Sequence, residues 1–206
     1  MSDLVTTTNS LIAEFTGGSS NDVEMMIGIG VVKDSDAVFF QYLGEQQTQA
    51  LMLPSGKPLT RLANVRLVGI SIADNIGEFN ASKLNVFLQS SQGRTIMLTA
   101  GLQTIWAQSV VNGLFAMYNT YQSSQQFNLD TWKGTSKMRP CFAGIRVEGE
   151  KVADEQLKER LLDLKSDSNE DGVDQLMRET VAIIHSAIGG DLQPVDVKVE
   201  KPEDIF

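Results

Sequence analysis

The chain has 206 residues, 42% of them apolar and 21% charged, with a formal net charge of -9, a composition that suits one full globular core plus an appended piece. No run of about 18 apolar residues occurs, so no membrane span is expected. One cysteine, Cys141, and one histidine, His185, leave almost no material for a disulfide, a Cys/His zinc site or a Cys-His catalytic pair.

Residues 1–22, rich in Ser, Thr, Gly and Asn, read as a flexible N-terminal arm. Residues 23–150 read as a β-rich core domain, 151–190 as a helical appendage and 191–206 as an acidic C-terminal tail. Met1-Ser2-Asp3-Leu4 lacks the basic start of a signal peptide, so a cytoplasmic location is expected. The apolar run 23–32 and the aromatic-rich run 37–43 predict two strands on either side of Lys33-Asp34-Ser35. Gly28 and Gly30 mark strand curvature, because a dinucleotide fingerprint would need a third glycine and a following helix. Asp34 and Asp36 read as turn chemistry, and neither a metal nor a cofactor is expected. After the turn cluster 54–58, residues 59–72 predict a third strand with a bend at Gly69.

Parity sets the register of the next segment. Leu84, Val86 and Leu88 alternate with Lys83, Asn85, Phe87 and Gln89, and after Ser91-Gln92-Gly93 the residues Ile96 and Leu98 alternate with Thr95, Met97 and Thr99. A three-residue loop with Gly93 in the left-handed region pairs Leu88 with Ile96, Val86 with Leu98 and Phe87 with Met97. One face becomes aliphatic, and Phe87 and Met97 are left on a mostly polar one.

Residues 102–119 change to helical spacing, with Trp106 on the apolar stripe facing the sheet. A polar loop at 122–128, a short strand at Trp132-Lys133-Gly134 and an alternating strand at 138–148 follow. In that last strand Cys141, Ala143, Ile145 and Val147 share one parity, and Phe142 and Arg146 the other, so Cys141 reads as a small core residue. Leu157, Leu161 and Leu164 predict a helix, and Val173, Leu176, Met177, Val181, Ile184 and Ile188 a second, stopped by Gly189-Gly190 after a polar linker at 165–172. His185, beside that stripe, reads as a half-buried structural histidine.

Charge is uneven along the chain. Residues 1–56 hold one base, Lys33, against seven acids, and residues 148–206 hold seven bases against sixteen. In between, Lys57, Arg61, Arg66, Lys83, Arg94, Lys133, Lys137, Arg139 and Arg146 face only Asp74, Glu78 and Asp130. A basic middle interleaved with Phe87, Trp132 and Phe142 is the mixture that single-strand binders use, cations for phosphates and aromatic faces for bases. No acid–base pair or nucleophile template fits, so an enzyme is not expected.

The last residues, Pro202-Glu203-Asp204-Ile205-Phe206, resemble the acidic tip with a terminal phenylalanine of bacterial and some phage single-stranded-DNA-binding proteins. The resemblance covers those five residues and implies docking onto replication or repair proteins. The sequence therefore predicts an α+β, mainly β fold: a small oligonucleotide-binding-like barrel with one inserted helix, C-terminal helices and an acidic tail. The expected function is non-catalytic coating or protection of single-stranded DNA, as a homo-oligomer. Phosphate contacts are expected from Lys57, Arg61, Arg66, Lys83, Arg94, Lys133, Lys137 and Arg139, and base stacking from Phe87 and Trp132. The alternative is a self-assembling structural or adaptor protein that uses the Phe87/Met97 face as its interface.

Overall fold

The computed structural model describes residues 23–32, 35–42, 48–76, 80–121 and 125–188, the side chain of Glu24 excepted. The N-terminal arm, Asp34, Gly189-Gly190 and the tail with Pro202, Glu203, Asp204, Ile205 and Phe206 lie outside the described residues. Among those described, the elements in chain order are β1 Val23–Ile29, β2 Phe39–Tyr42, β3 Thr48–Ala50, β4 Arg61–Ile76, β5 Ala81–Gln89, β6 Thr95–Gly101 and α1 Ile105–Thr120. They continue with β7 Phe127–Lys133, β8 Cys141–Val147, β9 Glu150–Val152, α2 Glu155–Ser166 and α3 Glu170–Ala187. The fold is mixed, mainly β: one nine-stranded sheet in the order β3-β2-β1-β6-β5-β4-β7-β8-β9, with β3 and β9 as its two ends, so the sheet is not closed. Every neighbouring pair is antiparallel except β1 and β6. No described helix is long and apolar enough to cross a membrane.

The β5–β6 hairpin has the register that parity demands: Val86 faces Leu98, Phe87 faces Met97 and Leu88 faces Ile96. Its turn closes with Gly93 N–H donating to the Ser90 carbonyl, and Gly93 has φ 87°, a conformation that favours glycine. The aliphatic set Leu84, Val86, Leu88, Ile96 and Leu98 is buried together on one face, each large side chain contributing about 1.5–3 kcal/mol.

Strand β4 runs for 16 residues and pairs on both sides. Its start, from Arg61 to Val65, pairs with β7, and the remainder, from Arg66 onward, pairs with β5. The bend expected at Gly69 coincides with an irregularity between Leu67 and Gly69, and a second lies between Leu62 and Val65. There Asn64 takes φ 52°, and its N–H donates to Asn128 Oδ1 at 2.9 Å, so a β7 side chain satisfies the group that the bulge releases.

Helix α1 starts at Thr104, whose hydroxyl accepts from Ala107 N–H. It buries Trp106, Val110, Val111, Leu114 and Met117 in a core shared with the sheet. Leu157 and Leu161 of α2 and Val173, Leu176, Met177, Val181 and Ile184 of α3 belong to that same core cluster. Asp154 caps α2 by accepting from Leu157 N–H, and it exchanges two hydrogen bonds with the buried Asn112 of α1. Helix α3 is pinned to the sheet by Arg178, whose guanidinium reaches Asp74, Ser82 and Asp174.

Several expectations need correction. Phe127 and Asn128 were expected in a loop, yet Phe127 opens β7 and packs opposite Val65, a tertiary partner that its polar neighbours gave no hint of. The linker at 165–172 shrinks to the residues between Ser166 and Glu170, because Asn169 caps α3 by accepting from Gly172 N–H. Chain after Glu150 is not wholly helical, since β9 pairs with β8 as an edge strand. His185 is exposed rather than half-buried, with Nδ1 3.2 Å from the Ile70 carbonyl oxygen.

Two outcomes follow for stability. A Cβ on Gly113 of α1 would meet Ile145 of β8 at 2.6 Å. Gly113→Ala therefore destabilises the protein by about 1–3 kcal/mol in urea titrations, although helix propensity alone would favour Ala by about 1 kcal/mol. Arg178, with help from Ser82, holds the Asp74 carboxyl down from 3.8 to about 2. The pair's stabilisation is thus present above pH 3.8 and is lost as pH falls toward about 2. Acid titrations should show Arg178→Ala losing less further stability in that window than the wild type.

Candidate functional site

The sheet face opposite the helices carries the exposed aromatics and a group of cations. On its β4-β7-β8-β9 half, register aligns Arg61 with Asp130 and Gly144, Asn128 with Arg146 and Lys151, and Trp132 with Phe142. These residues alternate with the buried Phe127, Leu129, Thr131, Ala143, Ile145 and Val147, so strand period alone turns them outward.

Trp132 and Phe142 form a near-parallel pair, with centroids 5.9 Å apart and planes at 12°. Both rings sit close to glycine backbone. A Cβ on Gly144 would lie 3.4 Å from the Trp132 ring, and one on Gly134 would lie 2.9 Å from the Phe142 ring. Trp132 remains 42% exposed, and Lys151 Nζ stands 6.0 Å from its ring centroid, within cation–π range.

Beside this pair, Asp130 joins two guanidiniums. Arg61 approaches through Nε at 2.5 Å and Nη2 at 3.0 Å, and Arg146 through Nε at 2.8 Å. Arg146 also donates through Nη1 to the Gly149 carbonyl at 3.1 Å. The Arg61 guanidinium, followed by that of Arg146, holds the Asp130 carboxyl below the ordinary carboxylate range against the opposing effect of burial.

The other expected phosphate contacts lie on three parts of the chain. Lys133, Lys137 and Arg139 belong to the end of β7 and the β7–β8 loop. There Lys133 Nζ donates to the Ser35 carbonyl at 2.6 Å, and Arg139 pairs with Asp36, whose carboxyl it lowers. Arg66 reaches Gln89 Oε1, and Lys83 is half-buried on the outer side of β5. Lys57 and Arg94 occupy turns, the first exposed and the second half-buried.

Phe87 is half-buried on the outer side of β5, close over Gly69. Its partner Met97 is only 6% exposed, and Thr95 and Thr99 are buried with it, so the face expected to be open and polar is substantially covered here. Farther along this side, Phe40 lies against Gly28 and meets Tyr42 edge-on at 5.1 Å.

The structure thus brings Arg61 and Trp132 into one patch with Phe142, Arg146, Lys151 and Asp130, of which the last four were not among the expected site residues. Their signal was present: Asp130 shares the parity of Trp132, and Gly144 and Arg146 share that of Phe142. No family model matches the chain, and no curated protein or solved structure matches it either.

Exposure separates the two tryptophans, since Trp106 is 1% exposed. Iodide should quench Trp132 emission and leave Trp106 almost untouched, so Trp132→Phe removes the quenchable fraction. Equal quenching before and after the substitution would contradict the placement of Trp132.

Proposed function

We propose that the chain is a non-catalytic single-stranded-nucleic-acid-binding protein, acting on DNA strands, whose contact surface centres on Trp132 and Phe142. The observation that carries this reading is the near-parallel pair of the exposed Trp132 and the half-buried Phe142, flanked by Arg61, Arg146 and Lys151. Aromatic faces accept any base, at about 1–3 kcal/mol per stack, and neighbouring cations neutralise the backbone. The run β4 to β8, in sheet order β6-β5-β4-β7-β8 with α1 between β6 and β7, supports an oligonucleotide-binding type of partly open barrel. In such a barrel Lys133 at the end of β7 and Lys137 and Arg139 on the β7–β8 loop, together with Arg66, Lys83 and Phe87 on β4 and β5, extend the path of the strand. The burial of Met97 leaves less of the Phe87/Met97 face for a second copy, and this favours strand binding over self-assembly on that face. The acidic, aromatic end Glu203-Asp204-Ile205-Phe206 suits capture by a basic-rimmed apolar pocket on a replication or repair partner.

Trp132→Ala should weaken binding of an oligothymidylate about 5- to 150-fold, with adenine and cytosine oligonucleotides affected alike. Each removal of a phosphate-contacting Lys or Arg should reduce the log–log salt slope by about 0.7. Fluorescence anisotropy at several salt concentrations measures both, and unchanged affinity in folded Trp132→Ala defeats the stacking assignment.

A further inference from the structure

Asp130 is the unexpected member of this patch, a carboxylate in the middle of a surface read as binding a polyanion. Point-charge reasoning makes it a defect that repels phosphate. The geometry gives it another role. Its side chain is 18% exposed and is fixed in the centre of β7, paired to Arg61 on one side and Gly144 on the other. Arg61 spends Nε and Nη2 on it, whereas Arg146 divides Nε and Nη1 between Asp130 and the Gly149 carbonyl. A guanidinium has five N–H donors, so each arginine keeps three for another acceptor. Both side chains are substantially exposed, at 54% for Arg61 and 41% for Arg146, and without Asp130 each would sample many rotamers.

We propose that Asp130 is a positioning residue of a phosphodiester clamp, holding the Arg61 and Arg146 guanidiniums at preset places beside the Trp132 ring. A phosphate linking two nucleotides, one with its base against Trp132, then meets donors whose ordering cost was met when the protein folded. The assignment rests on the strand-binding reading above and adds a definite sign to it. Removing the negative charge of Asp130 weakens binding of a polyanion. Simple charge counting says the reverse.

The test uses the full chain and a fluorescein-labelled oligothymidylate, read by anisotropy at low and moderate salt, with thermal melts to confirm folding. Asp130→Asn is expected to lower affinity about three- to tenfold, the scale of releasing ordered side chains, and Asp130→Glu to retain more affinity than Asp130→Asn. In an Arg61→Ala/Arg146→Ala background the same Asp130→Asn change should strengthen binding or leave it unchanged, because only repulsion then remains. That reversal of sign is not produced by general structural damage. Arg146→Lys, which keeps the charge and loses the fork, should also weaken binding. Equal or tighter binding by Asp130→Asn in the native background overturns the clamp, as does unaltered affinity in Arg146→Lys. If the wild type binds and Trp132→Ala weakens it while Asp130→Asn does not, the clamp alone fails. If the wild type does not bind at low salt, the strand-binding reading fails with it.

Discussion

Strand β4 is the constraint on which the other elements depend, because it alone belongs to both halves of the sheet. Its first residues pair with β7 and its later ones with β5. Register shifts interrupt its pairing at Leu62/Val65 and Leu67/Gly69, and Asn64 supplies the left-handed residue at the first of them. Buried side chains from both halves join those of α1 and α3 in one core cluster. On the opposite side, side chains from β4, β7, β8 and β9 meet.

Aromatic residues on that outer surface share a packing habit. Phe40 lies against Gly28, Phe87 against Gly69, Phe142 against Gly134 and Trp132 against Gly144. A ring that reclines over a glycine covers backbone that would otherwise be open and stabilises the strand at its weakest residue. These contacts account for the rings without any ligand. The Trp132–Phe142 pair stands apart because Trp132 is exposed and has Arg61, Arg146 and Lys151 about it. The Phe87 neighbourhood is more enclosed, with Met97, Thr95 and Thr99 buried around it.

Many of the cations that make the middle of the sequence basic have structural partners. Arg139 and Lys133 tie the β7–β8 region to Asp36 and Ser35, which precede β2. Arg61 and Arg146 share Asp130, and Arg178 of the acidic C-terminal stretch fastens α3 to Asp74. Exposed pairs of this sort contribute little to stability, about 0–1 kcal/mol each. Their larger effect is to decide where a guanidinium points, and direction matters more than count on a surface that recognises phosphate.

Local periodicity made much of the fold legible. Alternation over residues 83–99 determined the β5–β6 register, helical spacing marked α1, α2 and α3, and the parity of Ala143, Ile145 and Val147 identified the buried side of β8. The short edge strands β3 and β9 escaped notice because three residues hold too little alternation to stand out. Phe127 was missed because its burial depends on Val65, far away in the chain. For the site, sequence alone determined which residues alternate outward on β8, since strand period is a local property, whereas of β7 only Trp132 and Lys133 were expected in a strand. It could not determine that Arg61, Asp130 and Arg146 converge beside Trp132, because that depends on how β4, β7 and β8 align across the sheet. Only the tertiary structure decided that alignment, through the pairing of β4 with β7 and of β7 with β8 and the burial of the opposite face.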